Sequence, residues 1–124
     1  MDNANQPLFR QIAALVEDSI VDGVLLAGGR APSTNELADF HGINPATARK
    51  GLNLLTEIGV LEKRRGLGMF VTDSAVDLIR LRRQRAFAGD YLAPLVDEAV
   101  RLQLTRDQLH DLLDRVAESR GLYQ

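Results

Sequence analysis

The run Asn-Pro-Ala-Thr-Ala-Arg-Lys at residues 44–50 gathers side chains suited to a polyanion. Arg49 can make paired hydrogen bonds to guanine or clamp a phosphate, and Thr47 can meet a phosphate or a thymine methyl. Lys50 adds either a phosphate contact or a solvated charge. Asn44 can cap a helix, contact DNA, or do both, and Pro45 and Ala46 fill the first turn behind it. The free N–H groups at such a helix start also favour an anion. A second basic group lies in EKRRGLGMFV, Glu62 to Val71, where Lys63, Arg64 and Arg65 precede Gly66. A third candidate contact is Ser33, Thr34 and Asn35, with short polar side chains that can hold phosphates. From Asn44 to Gly68 five basic residues stand against two acidic ones, in a chain of formal net charge -2. That asymmetry steers a polyanion to one face and predicts salt-sensitive binding.

Other chemistries find little support. There is no cysteine, which excludes disulfides, thiol chemistry and Cys-ligated metal. His41 and His110 are far apart and lack a spaced ligand partner. The glycine pair Gly66 and Gly68 is followed by no strand-to-helix transition of a nucleotide-binding loop. No carboxylates are paired for acid–base work. The expectation is a protein that is not an enzyme and needs no cofactor or metal. Arg80, Arg82, Arg83 and Arg85 spread around a helix and read as a solvated or salt-bridged face in preference to a DNA contact.

The elements that must position these residues follow from periodicity and punctuation. Leu8, Ile12, Leu15, Val16 and Ile20 recur at helical spacing behind Pro7, predicting a first helix that stops by Gly23. VLLAGGRAP then predicts an extended segment and turn. Ser33 with Glu36 forms a capping box for a second helix, whose apolar face is Leu37, Ala38 and Phe40. Gly42, Ile43 and Asn44 make a turn short enough for a helix-turn-helix. The third helix, about Pro45 to Ile58, carries Ala48, Leu52 and Leu55 on one face, with Arg49 opposite. VLEKR and MFVT are β-prone and separated by a glycine-containing loop, so they predict a hairpin. Arg65 to Gly68 make its tip, and Phe70 or its neighbours turn toward the helices. Of Lys63, Arg64 and Arg65, Arg65 is the preferred DNA contact.

The fold class is therefore α+β, a winged helix-turn-helix of three helices and a hairpin wing over residues 1–73, followed by a helical region over 74–124. In that region Gly89 and Pro94 should break or kink a helix running from Ala75 to about Leu104. Thr105 with Gln108 opens a last helix. About fifty residues without strands enclose little core, so the tail is expected to dimerise through Ile79, Phe87, Leu92, Leu95, Leu109, Leu112, Leu113 and Val116. With 45% hydrophobic residues, no apolar run of membrane-spanning length and no signal-like start at MDNANQPLFR, a folded cytoplasmic protein with no membrane partner is expected.

The motifs PLFRQIA, GGRAPSTNELA and INPATARKGLNLLTEIGVLEKRRGLGMFV, over Pro7 to Thr72, together resemble the DNA-binding domain of GntR-family bacterial transcription regulators. The short helical tail resembles the YtrA-type branch. The resemblance implies contacts to double-stranded operator DNA from Ser33 to Asn35, from Asn44 to Lys50, and from Arg65 and Gly66. Many relatives carry arginine at the place of Asn35, and arginine or a similar polar residue at Pro45, so two frequent contacts are altered and the operator sequence does not carry over. The expected function is a homodimeric repressor on an inverted repeat, modulated by a small-molecule effector. The alternative is a winged-helix protein-interaction module without sequence-specific DNA binding.

Overall fold

The computed structural model describes residues 6–123 and divides the chain into two compact units, Met1–Arg85 and Ala86–Gln124. In the first unit, α1 (Leu8–Val21) buries Ile12, Ala13, Val16 and Ile20, while Leu8 and Leu15 remain about half exposed on the flank of that stripe. Glu17 takes the opposite flank and is buried, 4% exposed. α2 (Thr34–His41) starts on the expected capping box, with Ser33 Oγ accepting from the Glu36 N–H and Glu36 Oε1 accepting from the Ser33 N–H. It ends at Gly42. Phe40 does not join Leu37 and Ala38 in the core: it is 85% exposed, with its ring edge-on to His41.

α3 (Pro45–Glu57) begins on Asn44 and buries Ala48, Gly51, Leu52 and Leu55. Gly51 sets the approach of α1 to α3, because a Cβ there would stand 2.9 Å from the Phe9 carbonyl oxygen. Gly51→Ala is expected to lower stability by about 1–2 kcal/mol through this clash, even though alanine is otherwise the better helix former. Urea unfolding checks it. A gain in stability would mean the two helices can part at no cost.

β1 (Leu61–Arg64) and β2 (Gly68–Val71) pair antiparallel, with Leu61 opposite Val71 and Arg64 opposite Gly68. The GGRAP segment lies along the outer edge of β2. Gly28 N–H donates to the Val71 carbonyl, Val71 N–H to Gly29 and Ala31 N–H to Met69, and Arg30 bridges Phe70. Edge pairing of this kind satisfies backbone groups the hairpin alone would leave open. Thr72 Oγ1 donates to the Gly59 carbonyl at 2.6 Å, tying the exit of the hairpin to its entry.

α4 (Ala75–Phe87) begins beyond the hairpin, and Ala75 and Ile79 are wholly buried with Ile20, Leu52, Leu55, Val60, Leu61 and Val71. Ile79, expected at a dimer interface, is a core residue of the winged unit. Its apolar side chain meets enough apolar surface within its own unit to be covered there. The first unit accordingly extends through Arg85, beyond the expected boundary at 73/74.

The arginine cluster is resolved in the same place. Arg82 Nη2 donates to both carboxylate oxygens of Glu17, at 2.5 and 2.6 Å, and Arg83 Nη1 donates to Asp18 Oδ1 at 2.8 Å. Burial works against the charge on Arg83, but Asp18 and Glu17 outweigh it and hold the guanidinium more firmly protonated than usual. These pairs lie within the unit and join α1 to α4. Arg80 and Arg85 are exposed, with no ion pair among the described residues.

In the second unit the helix does not break at Gly89 or Pro94. It widens to a π-helical turn over Ala88–Leu92 and continues as α5 (Ala93–Arg101), with Pro94 in the first turn. A proline has no N–H to donate and crowds the carbonyl four residues back. The wider π turn accommodates both demands. α6 (Arg106–Ser119) starts on the expected Thr105–Gln108 capping box. Among the described residues of this unit only Ala99 and Ala117 are buried, whereas Leu92, Leu95, Leu112, Leu113 and Val116 are 38–55% exposed. Phe87 stacks on Tyr91, and Leu109 is half-buried. No helix among the described residues is long and apolar enough to cross a membrane.

Candidate nucleic-acid interface

The start of α3 is exposed from Asn44 to Ala46, with Thr47 half-buried and Arg49 and Lys50 exposed. Asn44 Oδ1 accepts from the Ala46 N–H at 2.8 Å, and the Asn44 carbonyl accepts from Thr47 and Ala48. Pro45 has no N–H. The free backbone donors expected in the first turn of this helix, on Ala46, Thr47 and Ala48, are therefore all satisfied internally. An anion here would be met mainly by side chains, and the Asn44 amide NH2 remains available after capping, so the cap leaves a DNA contact open to it.

The cations divide into held and free. Lys50 Nζ lies 4.2 Å from the centroid of the Phe9 ring, a cation–π contact to α1. Arg64 Nη2 donates to Glu62 Oε1 at 2.9 Å, and its guanidinium covers the Phe70 ring at 4.2 Å. Arg49, Lys63 and Arg65 are exposed and make no ion pair among the described residues. At the hairpin tip the Leu67 N–H donates to the Arg64 carbonyl, and Gly66 and Gly68 have φ of 76° and 114°, a backbone region that side chains disfavour. Arg65 and Gly66 thus form an exposed turn, whereas Arg64 belongs to the stem.

The strand phase settles which residues turn inward. Leu61 and Val71 are buried and Met69 packs against the core, so Phe70 lies on the opposite face with Glu62 and Arg64. Lys63 shares the face of Leu61.

At the start of α2, Ser33 is occupied by its cap, while Thr34 and Asn35 present N–H groups with no acceptor among the described residues. Glu36 has its pKa lowered, first by the hydrogen bond from the Ser33 backbone N–H, then by the Ser33 hydroxyl, and least by Arg30, 3.7 Å away. Because the folded value lies below the unfolded one, the box stabilises the helix at neutral pH and loses that contribution as pH falls through the folded pKa. Among the described residues no group of His, Asp or Glu could hold a metal ion.

A family model for bacterial regulatory proteins of the gntR family matches residues 8–71. The regulator YhcF of Bacillus subtilis is 30% identical over 112 residues, covering 88% of this chain and 91% of YhcF. The transcriptional repressor YtrA of the same organism is 23% identical over 114 residues, covering 92% of this chain and 87% of YtrA. Other relatives are longer: the match to YdeF, 34% identical over 76 residues, spans only 16% of that protein. Among solved structures, a GntR-family protein from Bacteroides thetaiotaomicron superposes with a TM-score of 0.72 at 24% identity, covering 92% of this chain and 99% of that one. AraR(DBD), solved in complex with operator ORX1, superposes with a TM-score of 0.53 at 28% identity, over 58% of this chain and 87% of that one. With the helix-turn-helix, the wing and a family match over more than half its length, this chain belongs to the gntR family of bacterial regulatory proteins, and is a transcription regulator and not an enzyme.

Proposed function

We propose that the protein is a cytoplasmic homodimeric repressor that binds an inverted-repeat operator and is modulated by a small-molecule effector. The observation that carries the DNA-reading part is the placement of free cations. Arg49 on the exposed face of α3 and Arg65 at the wing tip are uncommitted, while neighbouring Lys50 and Arg64 are held by aromatic rings and Glu62. Arg49 then reads bases from the major groove, Thr47 and Asn44 contact phosphate or base edges beside it, and Arg65 with Gly66 lies in or beside the minor groove. Ser33, Thr34 and Asn35 face the backbone. Lys50 serves mainly to brace α3 on α1.

The dimer reading rests on the second unit, which among its described residues buries two alanines and leaves a leucine- and valine-rich surface open. Covering it with a second copy supplies the apolar burial that a unit of this size lacks. Two α3 helices would then meet successive major grooves about 34 Å apart. Repression follows from occupying a promoter in this way, and an effector acts by favouring a different arrangement of the two reading domains.

Arg49→Ala is expected to weaken binding to the operator by about 1–3 kcal/mol and to relax preference at one position of each half-site. Gel retardation on the DNA upstream of the protein's own gene, at two salt concentrations, checks it. Retention without sequence preference at modest salt would overturn the regulator reading of this interface, and sedimentation of the unliganded protein as a monomer would overturn the dimer.

A further inference from the structure

At about 100° per residue, the buried residues Ala48, Gly51, Leu52 and Leu55 define one side of α3. Asn53 lies two residues from Leu55 and so about 200° away, nearly opposite the core. Seven residues separate it from Ala46, which places the two about 20° apart on the midline of the exposed face. Arg49 lies one turn before Asn53 on one flank, and Lys50, drawn to Phe9, lies on the other.

Asparagine in the middle of a helix is locally unfavourable, because its short amide competes with the backbone. The side-chain hydrogen bonds of α3 and its cap are made by Asn44 and Thr56, and Asn53 makes none among the described residues. Residues that break a local rule without an internal gain concentrate at functional or strained positions, and nothing in the backbone of α3 is strained at Asn53. Its amide matches the N6 donor and N7 acceptor of adenine in the major groove. Glu57 follows four residues later, exposed on the same face, where its negative charge disfavours phosphate.

We infer that Asn53 is a base-reading residue, accepting from N6 and donating to N7 of an adenine one turn beyond the base read by Arg49. The inference rests on the DNA-reading function proposed above. Selection of bound sites from randomised duplexes, with the full chain as wild type and as Asn53→Ala, tests it. The wild type should select adenine at one position in each half-site. The variant should lose that preference by about tenfold while keeping the preference set by Arg49 and the same dependence on salt. Its thermal midpoint should be unchanged or raised, since alanine is the better helix former, so lost reading is not lost folding. Identical base preferences in the two proteins would overturn the role of Asn53. A shallower salt dependence with unchanged preferences would also overturn it, making Asn53 a phosphate contact. A wild type with no base preference at all would instead remove the DNA-reading function, and the role of Asn53 with it.

Discussion

Ile79→Ala will destabilise the protein by about 2–4 kcal/mol, a large part of the 5–15 kcal/mol that holds a typical domain folded. Ile79 has no exposed surface and sits among Leu52, Leu55, Val60, Leu61 and Val71. Truncation removes apolar burial and leaves a cavity that the hairpin and α3 cannot close without moving the wing. Urea unfolding followed by circular dichroism measures the loss. The shift in midpoint should be the same at low and high protein concentration. A shift that vanished at high concentration would place Ile79 at a subunit contact and overturn its assignment to the core.

The second large effect is an asymmetry across one ion pair. Arg82→Ala should cost about 2–4 kcal/mol, because it leaves the Glu17 carboxylate, 4% exposed, in a nearly dry site with only Arg83, at 3.5 Å, beside it. Glu17→Gln should cost about 1 kcal/mol or less, since the Arg82 side chain is about half exposed and its guanidinium can turn to water. Replacing both by leucine should come close to the wild type, as apolar groups of similar size often substitute for a buried pair without loss. Chemical unfolding of the three variants checks the order. Equal losses in the two single variants would show that Glu17 is hydrated in solution.

Local signals in the sequence carried most of the fold. Both capping boxes, the Gly42–Asn44 turn, the order of helices and the hairpin depend on neighbours within a few residues, and they appear where the spacing places them. Features set by distant partners were not legible. The Arg82–Glu17 pair spans 65 residues, and nothing in the arginine cluster says which carboxylate it will meet. Ile79 has the same apolar character whether it faces a partner or a core. Phe40 shows the converse: apolarity and helical position suggest burial, but α2 is short and its buried stripe is filled by Leu37 and Ala38. In the wing, alternation gives two faces without saying which is inside, and the choice falls to the pairing of Leu61 with Val71. At the candidate interface, residue type and position already favour Arg49 and Arg65 as contacts; the structure adds that their neighbours Lys50 and Arg64 are held by aromatic rings and Glu62, and the full helical wheel brings Asn53 forward.

The wing combines two mechanical regimes. Its stem is stiff, because Arg64 is laid across Phe70 and tied to Glu62 while GGRAP clasps the outer edge of β2. Its tip, from Arg65 to Gly68, contains two glycines, both at positive φ. In the proposed binding mode, deformation on meeting DNA would be confined to this one short turn, which would follow local variation in groove width while the stem keeps its bearing on α3. Little conformational entropy would then be lost in the stem on binding, and Arg65 would approach a groove from a base already in position.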